Sequence, residues 1–107
     1  MPREKFKTLT QQMFYVLLCL EQECCGIDLM DRVRELTEGT VRVGSGTLYH
    51  LLDEFLAAGL IRETRVEGRR RSYLLTPEGH ALLREEYCRI CRQAEDYCRV
   101  FGKEPCK

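Results

Sequence analysis

Residues 60–76, LIRETRVEGRRRSYLLT, alternate as a β-hairpin inside a chain that otherwise reads as helix. Leu60 to Val66 is one strand, Glu67-Gly68-Arg69 the turn, and Arg71 to Leu75 the return strand. The hairpin is closely bounded. Gly59 suits the left-handed residue just past a helix end. Thr76-Pro77-Glu78-Gly79 starts a new helix, with threonine as N-cap, proline at the first helical position and an acid in the first turn.

Three helices precede the hairpin. The first begins near Thr8 or Thr10 and places Leu9, Met13, Val16, Leu17 and Leu20 on one face, until Cys24-Cys25-Gly26 breaks it. The second spans about Ile27 to Leu36, with Ile27, Met30, Val33 and Leu36 spaced by threes. TEGTVRV follows as a loop with a short extended piece. Gly44-Ser45-Gly46 then opens a helix over 45–58 whose buried stripe is Leu48, Leu51, Leu52, Phe55 and Leu56. The helix after the hairpin runs to about Phe101, where Gly102 and Pro105 end it. Helix, helix, helix, strand, strand, long helix is the order of a winged helix-turn-helix: a mainly α fold with a small β-hairpin and a long C-terminal helix. The expected division is a winged-helix DNA-binding region, 1–75, and a dimerisation helix with its tail, 76–107.

The chain has 107 residues, enough for one compact domain. Its longest apolar run, MFYVLLCL, is far short of a membrane span, and its flanks do not resemble a secretory signal. The protein reads as cytoplasmic, with no membrane partner. Seventeen basic residues balance seventeen acidic ones, so nucleic-acid binding cannot be argued from a global basic excess. The distribution says more. Five arginines and two glutamates lie between Arg62 and Arg71, and Arg3, Lys5 and Lys7 stand against Glu4 before Thr8.

In a helix-turn-helix the second helix of the motif enters the major groove, and its N-terminal residues reach base edges. Here that helix is 45–58. Its first turns carry Ser45, Thr47, Tyr49 and His50, short or uncharged groups suited to base edges and phosphates. The Arg-rich wing, residues 66–72, would lie on the phosphate backbone or reach into the minor groove.

These blocks resemble the PadR-like transcriptional regulators. GTLYHLLDEFLAAGLI, the arginine-rich hairpin, YLLTPEGHALL and the opening LTQQMFYVLLCL carry the resemblance, over about residues 8–90. The length and single C-terminal helix look like the short-tailed members. The resemblance implies a bacterial or archaeal repressor, a homodimer on a palindromic operator of double-stranded DNA, released in many members by a small-molecule effector. Carried over by position, the DNA contacts are Ser45, Thr47, Tyr49 and His50, with Arg69, Arg70 and Arg71 from the wing, and Tyr15 from the first helix. The sequence also departs from the family pattern. Ser45 replaces the usual proline, Cys25-Gly26-Ile27 replaces the common His-Gly-Tyr, and Leu56 replaces glutamate. Asp53 and Glu54 stand where basic residues are frequent. Some relatives hold flat aromatic compounds with a tryptophan, and this chain has none.

Leu83, Tyr87, Ile90, Ala94, Tyr97 and Phe101 recur at alternating steps of four and three, a heptad seam that predicts a dimer interface. A helix protruding after the hairpin is expected to find little core of its own domain to cover. Cys88, Cys91 and Cys98 fall one residue past seam positions. Seven cysteines cannot all pair within one chain, so a disulfide scaffold is not expected. Two histidines and a single Cys88-x-x-Cys91 do not make a zinc site, and neither metal nor cofactor is expected. No nucleophile–base pair, phosphate loop or paired carboxylates point to an enzyme. Two readings stand beside the repressor: a winged-helix protein-interaction module, and a thiol-responsive regulator using the C-terminal cysteines.

Overall fold

Thr10 fixes the start of the first element. In the computed structural model, which describes residues 8–105, its hydroxyl accepts a hydrogen bond from the Met13 amide at 3.1 Å and helix α1 (Gln11–Cys19) follows. The basic residues ahead of Thr8, and Cys106, lie outside the described residues. Val16, Leu17 and Leu20 are fully buried, Leu9 and Cys19 nearly so, and Met13 packs half-buried against the same core.

Cys24 and Cys25 do more than break this helix. They form strand β1 (Cys24–Cys25), which pairs antiparallel with the return strand of the hairpin, Cys24 opposite Tyr73 and Cys25 opposite Ser72. A strand this short has no alternation to read, and its partner lies far along the chain.

Helix α2 (Gly26–Leu36) corrects the stripe expected from spacing by threes. Its buried residues are Gly26, Leu29 and Val33; Met30 is half-buried, and Ile27 and Leu36 are each 53% exposed. Each step of three falls short of a full turn by about 60°, so such a row ends about half a turn from where it began. Val33 is therefore on the core side while both ends of the row face solvent. After α2, residues 37–43 form no strand; buried Val41 and Val43 pin the loop to the core. The Thr37 hydroxyl donates to the Val33 carbonyl at 2.9 Å and accepts from the Val41 amide at 3.2 Å.

Helix α3 (Ser45–Ala57) buries Leu48, Leu51, Leu52 and Phe55, with Leu56 half-buried. It ends in a Schellman motif. Gly59 has φ +77°, its amide bonds to the Leu56 carbonyl, and the Leu60 amide bonds to the Phe55 carbonyl at 2.9 Å. Strands β2 (Ile61–Glu67) and β3 (Arg70–Leu75) pair from Ile61 opposite Leu75 to Glu67 opposite Arg70, with an irregularity between Glu63 and Arg65. The turn is Gly68-Arg69, with Gly68 at φ +62°. The hairpin is thus part of a three-stranded sheet in the order β1-β3-β2.

Thr76 caps helix α4 (Pro77–Phe101), its hydroxyl accepting from the Gly79 amide at 3.0 Å and donating to the Gly59 carbonyl at 2.7 Å. Gly79 lets the helix touch the main chain of β2's approach: a Cβ there would sit 2.0 Å from the Leu60 carbonyl oxygen. The first turns of α4 were expected to have little core to cover, yet Leu82, Leu83 and Glu86 are buried, and α4 packs on α1 and β3. Glu86 is bound by the Arg89 guanidinium, whose Nε lies 3.2 Å from Oε1. The Arg89 hydrogen bond, then the Arg89 charge and last the Leu9 backbone, outweigh burial and hold the Glu86 carboxyl below its ordinary pKa. Beyond Glu86 the helix leaves the body, and the molecule measures 53 × 33 × 21 Å. Among the described residues no helix is long and apolar enough to cross a membrane.

Candidate nucleic-acid interface

The buried row of α3 decides what its other side offers. At about 100° per residue, Gly46, His50, Asp53 and Ala57 lie opposite Leu48, Leu52 and Phe55, and all four are exposed. Ser45 and Thr47 are exposed in the first turn. Gly44 is the N-cap and gives no side-chain cap, so the first amides of α3 point outward without a side-chain acceptor. The His50 imidazole is 70% exposed, with Nε2 at 3.4 Å from Glu54 Oε2 one turn on. Glu54, an acid that threatened to repel a phosphate, is engaged by its own helix neighbour.

Tyr49 has a structural partner. A Cβ on Gly26 would lie 2.9 Å from Tyr49 Cε1 and 3.1 Å from its hydroxyl, so the ring covers the bare α-carbon at the start of α2. Tyr49 remains 42% exposed and forms one wall of a recess of about 300 Å³ between α3 and the wing. Asp53 continues that wall, Arg69, Arg70 and Arg71 face it, and Tyr73 lies below. Burial foremost, and then the Glu63 charge, push the Tyr73 hydroxyl above its ordinary pKa.

The three wing arginines are not equivalent. Arg70 Nη2 donates to Cys25 Sγ at 3.2 Å and lies 3.5 Å from Asp28 Oδ2. Cys25 Sγ in turn donates to the same carboxylate oxygen at 3.2 Å. The contact with Cys25, followed by the Asp28 charge, raises the Arg70 pKa. Arg71 Nη1 lies 3.3 Å from Glu63 Oε2 on the neighbouring strand. Arg69, in the turn, makes no ion pair among the described residues. Arg65 and Glu67 face each other more loosely, at 4.0 Å.

The structure therefore brings Tyr49 and Arg69 to Arg71 around one recess, and sets Ser45, Thr47 and His50 on the exposed side of the adjoining helix. Tyr15 does not line the recess. It is half-buried against the core, its ring edge-on to Phe14 with centroids 5.4 Å apart. The Cys25–Asp28–Arg70 contact was missed because it depends on β1. The available signal was an acid in the first turn of α2.

On α4, Leu83 belongs to the core of this chain and is not available to a second one, which corrects its place in the seam. Tyr87, Ile90, Tyr97 and Phe101 are 42% to 67% exposed, Val100 beside them is 74% exposed, and Ala94 is exposed too. The Tyr97 and Phe101 rings lie 5.1 Å apart. Cys88 and Cys98 are exposed thiols and Cys91 is half-buried. Cys91, one turn on, is the chief cause of the raised pKa of the Tyr87 hydroxyl.

The fold has known counterparts. RosR of H. salinarum superposes with a TM-score of 0.69 at 24% identity, over 82% of this chain and 79% of that one. A PadR family transcriptional regulator from Eggerthella lenta DSM 2243 gives 0.70 at 22% identity, over 87% and 83%. BpsR of Bordetella bronchiseptica, whose DNA binding is regulated by 6-hydroxynicotinic acid, gives 0.66 at 20% identity, over 87% and 63%. Among curated proteins no sequence match is found. The profile of the transcriptional regulator PadR-like family matches residues 16–85, the helix-turn-helix, the wing and the start of the last helix, and the chain belongs to that family.

Proposed function

We propose that this PadR-family protein is a cytoplasmic, homodimeric repressor of a palindromic DNA operator. Helix α3 enters the major groove with Ser45, Thr47 and His50 at base edges, and the arginine wing lies along the backbone or the minor groove. The carrying observation is that α3, whose N-cap gives no side-chain cap, exposes Ser45, Thr47 and His50 beside a recess that its Tyr49 and Asp53 share with the arginines of the wing. Helix N-termini and guanidinium groups both suit phosphate. Tyr49 serves mainly as the packing joint between α2 and α3, with its exposed edge toward the duplex. Tyr15, half-buried on α1, is the least exposed of the proposed contacts.

The dimer forms through the free half of α4. Tyr87, Ile90, Ala94, Tyr97 and Phe101 hold heptad spacing and stand exposed in the single chain. Full burial of one such large side chain is worth about 1.5–3 kcal/mol. A small molecule releases the operator, as 6-hydroxynicotinic acid regulates DNA binding in BpsR.

The test is a mobility-shift assay with long duplex DNA across a salt series, followed by selection from a random-sequence duplex pool. Steeply salt-dependent binding and one recovered palindrome are expected. No duplex binding at low salt would leave the protein-interaction module as the working description, in keeping with Asp53 in the recess and Asp28 and Glu63 on two of the wing arginines.

A further inference from the structure

The wing carries its cations in unequal states. On β3 successive side chains point to opposite faces, so Arg70 turns toward β1 and α2 while Arg71 shares the face of Tyr73. Arg70 is held at two points, the Cys25 sulfur and the Asp28 carboxylate. Asp28 has its own reason to stay: it lies in the first turn of α2, where the helix dipole favours an anion, and it accepts the Cys25 thiol. Arg71 is matched by Glu63 across the hairpin. Arg69, one residue before β3, projects from the turn beside Tyr49 and Asp53, with no acid paired to it among the described residues.

We propose that Arg69 is the phosphate ligand of the wing, and that Asp28 and Glu63 are positioning residues that keep Arg70 and Arg71 on the protein. This rests on the DNA-binding reading above. Salt dependence separates the two kinds of arginine. A guanidinium without a counter-charge that reaches a phosphate displaces a condensed cation from the duplex. One held by a carboxylate reaches a phosphate only by breaking that ion pair, and while it stays on the protein it releases no cation. Arg70 and Arg71 instead fix the wing: one ties β3 to α2, the other ties β3 to β2. Asp28 on α2 and Glu63 on β2 thus set how many phosphates the wing counts, and the position of its tip.

The experiment measures the slope of log affinity against log salt on one duplex. Arg69→Ala should lower the slope by about 0.9, one phosphate's worth. Asp28→Asn should raise it by a similar amount, because Arg70 is then free to act as a second phosphate ligand. Glu63→Gln should do the same through Arg71. Asp28→Asn combined with Arg70→Ala should return the slope to the wild-type value, which a mere loosening of the wing would not do. Thermal melting checks that each variant keeps its fold. A slope unmoved by Arg69→Ala, or lower affinity without a steeper slope in Asp28→Asn, overturns the proposal while DNA binding stands. A wild-type protein that binds no duplex at low salt overturns the DNA-binding reading and this proposal together.

Discussion

Gly46 and Gly79 are both helical glycines, and they face opposite demands. A Cβ on Gly79 meets the Leu60 carbonyl, whereas one on Gly46 meets nothing within 4 Å in this chain. Alanine is the better helix former by about 1 kcal/mol, so Gly46→Ala should stabilise the fold by roughly 0.5–1 kcal/mol in urea melts. It should also weaken operator binding, because the added methyl stands on the exposed side of α3. Improved stability with undiminished affinity would show that nothing approaches this side. Glu86 makes a different statement. Its carboxyl pKa is depressed in the folded protein, so its stabilisation is complete above the unfolded value of about 4.3 and fades as pH falls through the lower folded value. Glu86→Gln should cost on the order of 1 kcal/mol at pH 7, since the Arg89 side chain is itself 40% exposed. The variant should also lose less stability than wild type between pH 5 and pH 3. Parallel acid melts for the two proteins would contradict this assignment. Single residues of this kind were the least legible in the sequence. Glu86 looks like any surface acid until the Leu9 amide and Arg89 are brought to it, and Gly26 gives no hint of the Tyr49 ring.

Elements were more legible, where their ends carried strong local chemistry. Thr10, Gly59 and Thr76-Pro77 marked boundaries that the fold keeps, because caps and left-handed turns are decided by a few neighbouring residues. The α2 stripe was misread because an even spacing of three looks regular in sequence and drifts on a helix. Strand β1 was invisible, because two residues earn their conformation from β3 alone. Helix α4 joined two situations under one pattern: the heptad runs through Leu83, yet the buried core claims that residue and Tyr87 onward is exposed. The proposed dimer should therefore depend on the distal half. Ile90→Glu with Tyr97→Glu should give a monomer by light scattering at micromolar concentration, with the winged helix still folded by circular dichroism. Persistence of the dimer would move the interface elsewhere.

At the scale of the whole molecule, the sequence order and the family blocks anticipated the architecture, because a winged helix is largely a matter of which elements follow which. The candidate site was legible as a set of exposed polar residues, but its charge balance was not. Five arginines in the wing segment suggest a strongly cationic surface, and only the fold reveals that Asp28 and Glu63 answer two of them. Two copies joined along α4 would present two such surfaces related by a two-fold axis. The operator half-sites should then be centred about 34–36 Å apart, or a multiple of that, along the duplex. Inserting five base pairs between the halves turns one to the opposite side of the DNA and should abolish joint binding, whereas inserting ten should restore part of it. Indifference to both insertions would mean that each subunit binds alone.

Among the described residues the cysteines form a buried group and an exposed pair, with Cys91 half-buried between them. Cys19, Cys24 and Cys25 are buried, and burial pushes the thiols of Cys19 and Cys24 upward in pKa, while Cys88 and Cys98 stand in solvent. Alkylation by a small iodoacetamide needs an accessible thiolate, so the distal pair should be labelled at once and the inner three only as often as the core opens. The chain thereby carries its own clock for opening, readable by mass spectrometry without any engineered probe. Cys25 adds a spatial reading, since it borders the recess between α3 and the wing. A duplex seated there should slow its labelling beyond the protection given by folding, while Cys88 continues at the rate of the free protein.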